Sequence, residues 1–175
     1  MNVQKKIKVK RYLMYALIIF ASHILQNTIF IFPPLFSVRP ILLISVAVCI
    51  AMFEGEIIGA AAGFFAGMLW DTVTVTADGY NALYLVVACA ICGVLLRVFM
   101  RNNIITYIIM NTAITVLYIL SYVLFFIAAR APGGEGELLL RYYLPMAIYT
   151  LVLTPFWYVL IRTVFRKFSY NYTEY

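Results

Sequence analysis

Apolar residues fall into six long stretches, divided by short polar or Pro/Gly-bearing breaks. The first runs from Tyr12 to Phe32, behind the basic segment MNVQKKIKVKR at residues 1–11. Pro33-Pro34 ends it. The second covers roughly 35–53 and carries Arg39 and Pro40 near its start, where proline suits the first turn of a helix. Glu54-Gly55-Glu56 makes a tight polar turn, and the third stretch runs to about Trp70 and closes on Asp71. A Thr/Asp/Gly loop, 71–79, precedes the fourth stretch at about 81–96, which stops at Arg97. The fifth covers about 104–129. A loop holding Pro132-Gly133-Gly134-Glu135-Gly136-Glu137 leads to the sixth, at about 142–161. Crossing a bilayer as a helix takes about 20 residues, so each stretch is read as a membrane span. Pro145 and Pro155 predict kinks in the last one. Tyr142, Tyr143, Trp157 and Tyr158 sit where aromatic side chains meet the membrane surface.

Composition turns this pattern into a class. The chain is 65% hydrophobic and 11% charged, with a mean hydropathy of +0.97. A soluble domain has about 45–50% apolar and about 25% charged residues, and one this long leaves about a third of its surface in water. The reading is therefore an all-α, polytopic membrane protein: a basic tail at 1–11, a six-helix transmembrane domain at 12–161 and a C-terminal tail at 162–175. The first stretch is too long for a leader's apolar core and no small-x-small cleavage site follows, so it is read as a span.

The net charge of +6 would suggest nucleic acid in a soluble protein, but here the basic residues sit at span ends. With six spans, ten of the 13 Lys and Arg fall on the side of both termini, and cytoplasmic loops carry the positive excess. Both termini are thus placed in the cytoplasm and nucleic acid is not expected as a partner. The basic N-terminal segment either only sets this orientation or also meets anionic membrane lipids.

A few residues depart from the apolar background. Gly55, Gly59, Gly63 and Gly67 are spaced four apart, with Ala62 and Ala66 alongside, and form one stripe on a helix face. Such a stripe admits a neighbouring backbone, either within the bundle or on a second protein. Gly63→Leu or Gly67→Leu is expected to disrupt folding or partner capture. Asp71, at the end of the same helix, opposes the helix dipole. It is either a hydrated loop acid or an acid compensated by water, Arg130, Arg141 or a partner's cation. His23, Gln26 and Asn27, with Ser22 beside them, share a face of span one. They hydrogen-bond a neighbouring span or receive a ligand or partner helix. Asn111, Thr115, Tyr118 and Tyr122 form a polar face on span five, expected to meet that of span one. Cys89-x-x-Cys92 has only Ala, Ile and Gly around it and is read as packing, and the odd number of cysteines (three) speaks against a disulfide framework. His23 is the single histidine. Glu54 and Glu56 share a turn with no evident helper. No cofactor, metal site or catalytic pair is expected.

These features together resemble the rod shape-determining MreD family. The resemblance covers 12 to about 161: the basic segment before span one, Pro40 opening span two and the string GFFAGMLWD at 63–71. It continues with Gly79-Tyr80-Asn81-Ala82-Leu83 leading span four and the proline-bearing last span, with Leu144-Pro145 and Thr154-Pro155. The string is close to the family's Gly-Phe-x-x-Gly-Leu-x-x-Asp, with Met68 and Leu69 after Gly67 as a variation. Ile41 stands where family members often carry an acid, and no role is carried over to it. The resemblance implies a non-enzymatic subunit of the bacterial cell-elongation machinery in the cytoplasmic (inner) membrane. It would bind an MreC-like single-span protein and act with MreB, RodA and a penicillin-binding transpeptidase in peptidoglycan synthesis. It also implies a fold similar to the six-helix substrate-binding component of energy-coupling-factor transporters, whence the alternative function, binding a vitamin or metal for transport.

Overall fold

The computed structural model describes residues 3–28, 38–74, 79–98, 102–128 and 139–170. They form α1 (Val3–Asn27), α2 (Leu42–Glu54), α3 (Glu56–Asp71), α4 (Tyr80–Val98), α5 (Ile104–Tyr122) and α6 (Leu144–Tyr170). Wider π turns extend α5 through Val123–Ala128 and precede α6 at Leu139–Tyr143. The chain is all-helical among the described residues.

The order of contacts defines the architecture. Helices α1, α3, α4, α5 and α6 follow one another around a closed ring, and α2 touches all five from the centre. The sequence of α2, LLISVAVCIAMFE, explains its place: it is apolar on every side. A helix of that kind has no face to give to a polar surface and is buried. Every residue from Leu42 to Met52 is buried. The ring helices instead keep one face in and one out; Leu13, Val87, Leu117 and Val152, for example, point outward.

Among the described residues, three segments are long and apolar enough to cross a bilayer: Tyr80–Val98, Ile104–Phe125 and Arg141–Phe168. Helix α2, with 13 residues, and α3, with 16, are shorter than a full crossing. The expected span starting near 35 begins only at Leu42, and Pro40 stands before the helix rather than in its first turn. A proline disfavours helical geometry in the residue before it, here Arg39. At the other extremes, helix runs further than the apolar stretches. Helix α1 starts at Val3 inside the basic segment, and α6 continues to Tyr170, nine residues past the expected span. Lys and Arg are good helix formers, so an apolar boundary does not end a helix. Pro145 lies where the π turns pass into α6, and Pro155 lies inside the helix. Pro33-Pro34 and the 132–137 loop fall outside the described residues.

A short buried helix must satisfy its first amides without water. The Ile41 N–H donates to Thr150 Oγ1 of α6 at 2.9 Å. The Leu42 and Leu43 N–H groups both donate to Gln26 Oε1 of α1, at 2.9 and 3.2 Å. Two ring helices therefore cap the central one.

Candidate functional site

The glycine stripe faces into the bundle. A Cβ built on Gly63 would lie 2.5 Å from the Leu85 carbonyl oxygen of α4, and one on Gly59 would lie 2.5 Å from Ala51 Cβ of α2. One on Gly67 would run into the backbone of Ala82. Gly93, on α4, answers from the other side, with Glu56 Cα 2.5 Å from its notional Cβ. The α3–α4 hairpin is thus closed backbone against backbone, as small residues permit in lipid. Gly55 does a different job from the rest of the stripe. Its φ of +86° makes the turn from α2 to α3, and open space surrounds it.

Asp71 gains its compensation from within the chain. Its Oδ1 accepts the Asn81 N–H at 3.2 Å and its Oδ2 accepts the Ala82 N–H at 3.0 Å. An acid badly placed at the end of α3 is well placed at the start of α4, where free amides and the dipole both favour negative charge. Asn81 is buried and extends the network: its Nδ2 donates to Thr74 Oγ1 at 3.1 Å, and its Oδ1 accepts the Tyr118 hydroxyl at 2.7 Å. The Trp70 ring packs tilted against Tyr118, centroids 5.0 Å apart, so α3, α4 and α5 meet here. Arg130, one expected counter-charge, falls outside the described residues. Asp71→Leu removes both acceptors and should cost about 1–2 kcal/mol of stability. Asp71→Asn keeps one acceptor and should lose less, about 0.3–1 kcal/mol. Unfolding midpoints of the purified proteins in mild detergent measure both; equal losses would mean that charge alone matters.

The polar face of span one divides. Gln26 turns inward to cap α2, whereas Asn27 Nδ2 bonds back to the His23 carbonyl at 2.9 Å and lies 3.4 Å from His23 Nδ1. Ser22 donates to its own helix, at the Ile18 carbonyl. The expected meeting of this face with that of span five is replaced by contacts through α2, which stands between them. Asn111 donates to Ser45 Oγ of α2 at 3.1 Å and to Thr154 Oγ1 of α6 at 2.8 Å. Tyr107 donates to the Ser45 carbonyl at 2.7 Å. The thin α4–α5 seam is held by tyrosines: Tyr84 donates to the Ile114 carbonyl, and Tyr80 shares a hydrogen with Ser121. Ser45, Thr150 and Thr154 carry as much of this network as the residues sequence patterning picks out. Ser45 stands alone in its apolar run, whereas Thr150 and Thr154, four apart on α6, share a buried face that their spacing alone offers.

At the opposite end of the bundle, the two glutamates of the α2–α3 turn have partners that patterning did not supply. Glu54 receives Arg11 Nη2 and the Tyr15 hydroxyl, at 3.0 and 2.9 Å, and Glu56 pairs with Arg97 at 2.6 Å. Cys49, Cys89 and Cys92 are buried thiols, with Cys89 Sγ packed under Gly63. Among the described residues, no group of three His, Cys, Asp or Glu side chains gathers where a metal could be held.

Outside the hairpin, Phe64 and Met68 of α3 and Leu83 and Val86 of α4 border an open, mostly apolar groove of about 700 Å³, ended by Asp71 and Thr72. Comparison with protein-family models, with curated proteins and with solved structures finds no match to this chain.

Proposed function

We propose that the chain is an MreD-like adaptor: a non-enzymatic membrane subunit that holds an MreC-like single-span protein for the cell-elongation machinery. All six helices would cross the bacterial inner membrane, α2 as a short buried traverse, with both termini in the cytoplasm. The fold would be that of the substrate-binding component of energy-coupling-factor transporters.

The observation that carries the reading is the α3–α4 hairpin. The string Gly63–Asp71, on which the resemblance chiefly rests, forms one unit there: its glycines seat α3 on α4 and its acid caps α4. The hairpin's outer side keeps the 700 Å³ groove, with Leu83 68% and Phe64 52% exposed. An open apolar groove beside a rigid backbone contact suits a single helix in lipid, where packing drives association. The buried polar side chains support the same class of function. Gln26, Asn81, Asn111 and Thr150 are spent on holding helices together.

Co-purification in mild detergent with a tagged MreC-like protein tests the proposal. Wild type should retain the partner. Leu83→Trp, which fills the groove without touching the glycine seam, should reduce capture about tenfold while leaving yield and thermal midpoint unchanged. Undiminished capture by this variant would move the interface elsewhere. Retention of ATPase subunits and a small ligand, with no single-span partner, would replace the adaptor by the transport reading.

A further inference from the structure

The apolar surface of the bundle is not equally tall all round. On the hairpin side, α3 is apolar between Glu56 and Asp71, over residues 57–70, and α4 between Asn81 and Arg97, over residues 82–96. At the helical rise per residue these belts are about 21 and 22 Å tall. Ile57, Phe64 and Met68 face outward on the first, and Leu83, Val87 and Val94 on the second. On the α5–α6 side, Ile104–Phe125 and residues 142–161 carry no charge, and each runs for about 30 Å. Neither hairpin helix can gain height by sliding on the other. The glycine seam sets α3 backbone to backbone on α4, and Asp71 caps α4 at one end. At the other end Arg97 is paired with Glu56 at 2.6 Å, which holds its guanidinium level with the start of α3. Tilting would only shorten the belts further.

We propose that the α3–α4 face thins the bilayer beside it and gathers phospholipids with short acyl chains, while the α5–α6 face sits in bilayer of ordinary thickness. A hydrocarbon core of about 30 Å matches the second face and exceeds the first by about 8 Å. A bilayer meets a short apolar belt by thinning, at a cost that rises with each ångström of mismatch. Lipids with short chains pay the least of that cost, so they collect where the belt is low. The argument depends on the height between polar ends that the fold itself fixes, not on a chosen depth in the membrane. It rests on the reading that the hairpin crosses the bilayer, and not on what fills the hairpin groove.

The full chain is reconstituted alone in equal mixtures of phosphatidylcholines with chains of about 14 and about 22 carbons, whose bilayers bracket the two faces. One lipid of each mixture carries bromine, which quenches indole fluorescence on contact. Val87→Trp reports on the hairpin face and Leu117→Trp on α5, and wild type, whose Trp70 and Trp157 are buried, gives the background. Quenching at Val87→Trp should be about threefold stronger when the short lipid is brominated than when the long one is. Leu117→Trp should show no such excess. Adding Glu56→Leu and Arg97→Leu to Val87→Trp extends the uncharged run of α4 as far as Arg101 and should abolish the preference. Equal quenching of Val87→Trp by the two lipids overturns the proposal, as does the same short-chain preference at both reporters or a preference that survives the lengthened belt. Should the lengthened variant fail to fold, the two reporters decide alone. Quenching of Leu117→Trp only, by either lipid, would take the hairpin out of the acyl region and overturn its crossing as well. No partner is present, so failure to capture an MreC-like protein would leave each of these results as it stands.

Discussion

Gly63→Leu should yield no monodisperse protein. The notional Cβ is 2.5 Å from the Leu85 carbonyl oxygen and 2.9 Å from its carbon, so the first added carbon already collides with main-chain atoms that cannot rotate away. Ordinary overpacking of a core costs about 1–3 kcal/mol because side chains shift to absorb it. Here the obstacle is the main chain of α4, and relief means separating two helices that touch along their length. The hairpin also positions the Asp71 cap, so opening it removes those hydrogen bonds as well. Two other substitutions on this segment isolate the cause. Ala61→Leu creates the same side chain on an exposed face and should lie within about 0.5 kcal/mol of wild type. Gly55→Ala meets no atom but forces a side chain to φ +86° and ψ −171°, a region left almost entirely to glycine, and should cost about 1–3 kcal/mol while leaving the bundle assembled. Size-exclusion yield and detergent unfolding midpoints rank the three. A well-folded Gly63→Leu protein would show that the α3–α4 contact is not needed for the bundle to form.

The contrast between Gly63 and Gly55 also marks what sequence can convey. Four glycines at a spacing of four announce a close approach, and three of them make one. The spacing is blind to the first, whose work is conformational and shows only in its φ. Periodicity likewise finds the polar faces of α1 and α5 but not their partners, since a helical pattern encodes direction relative to its own axis alone. That α2 is apolar on every side places it at the centre. Its position between α1 and α5 then dictates that Gln26 and Asn111 reach α2 rather than each other. The capping role of Asp71 was in principle within reach: an acid, a short loop and a helix start at Tyr80 lie within ten residues. Helix periodicity conceals it, because the acid closes the pattern of the helix it ends and stands outside that of the one it begins. Arg11 and Glu54 lie 43 residues apart, on helices whose neighbours are fixed only by the closed ring, and no local pattern joins them.

That pair carries the second large effect expected. Arg11→Met should destabilise the protein by about 3–5 kcal/mol at neutral pH, the usual consequence of leaving a buried charge without its partner. The Glu54 side chain is only 4% exposed and that of Arg11 13%, whereas in the neighbouring pair Arg97 is 74% exposed. Arg97→Met should therefore cost no more than about 1 kcal/mol, although its ion pair is shorter. Proton linkage adds a sign that separates charge from lost packing on Phe165. Burial pushes the Glu54 carboxyl above its ordinary range, against the opposing influence of Arg11 and of the Tyr15 hydrogen bond. The folded protein thus holds the Glu54 proton more tightly than the unfolded chain. Its contribution is most favourable below the ordinary carboxylate value and declines as pH rises through the raised one. Removing Arg11 deletes one of the forces that lower it, so the decline widens. The loss on Arg11→Met should be small in acid and full at neutral pH. Adding Glu54→Gln to Arg11→Met should restore much of the stability at neutral pH, because a neutral amide needs no counter-charge. A loss independent of pH and untouched by Glu54→Gln would place the role of Arg11 in its contact with Phe165 rather than in the ion pair.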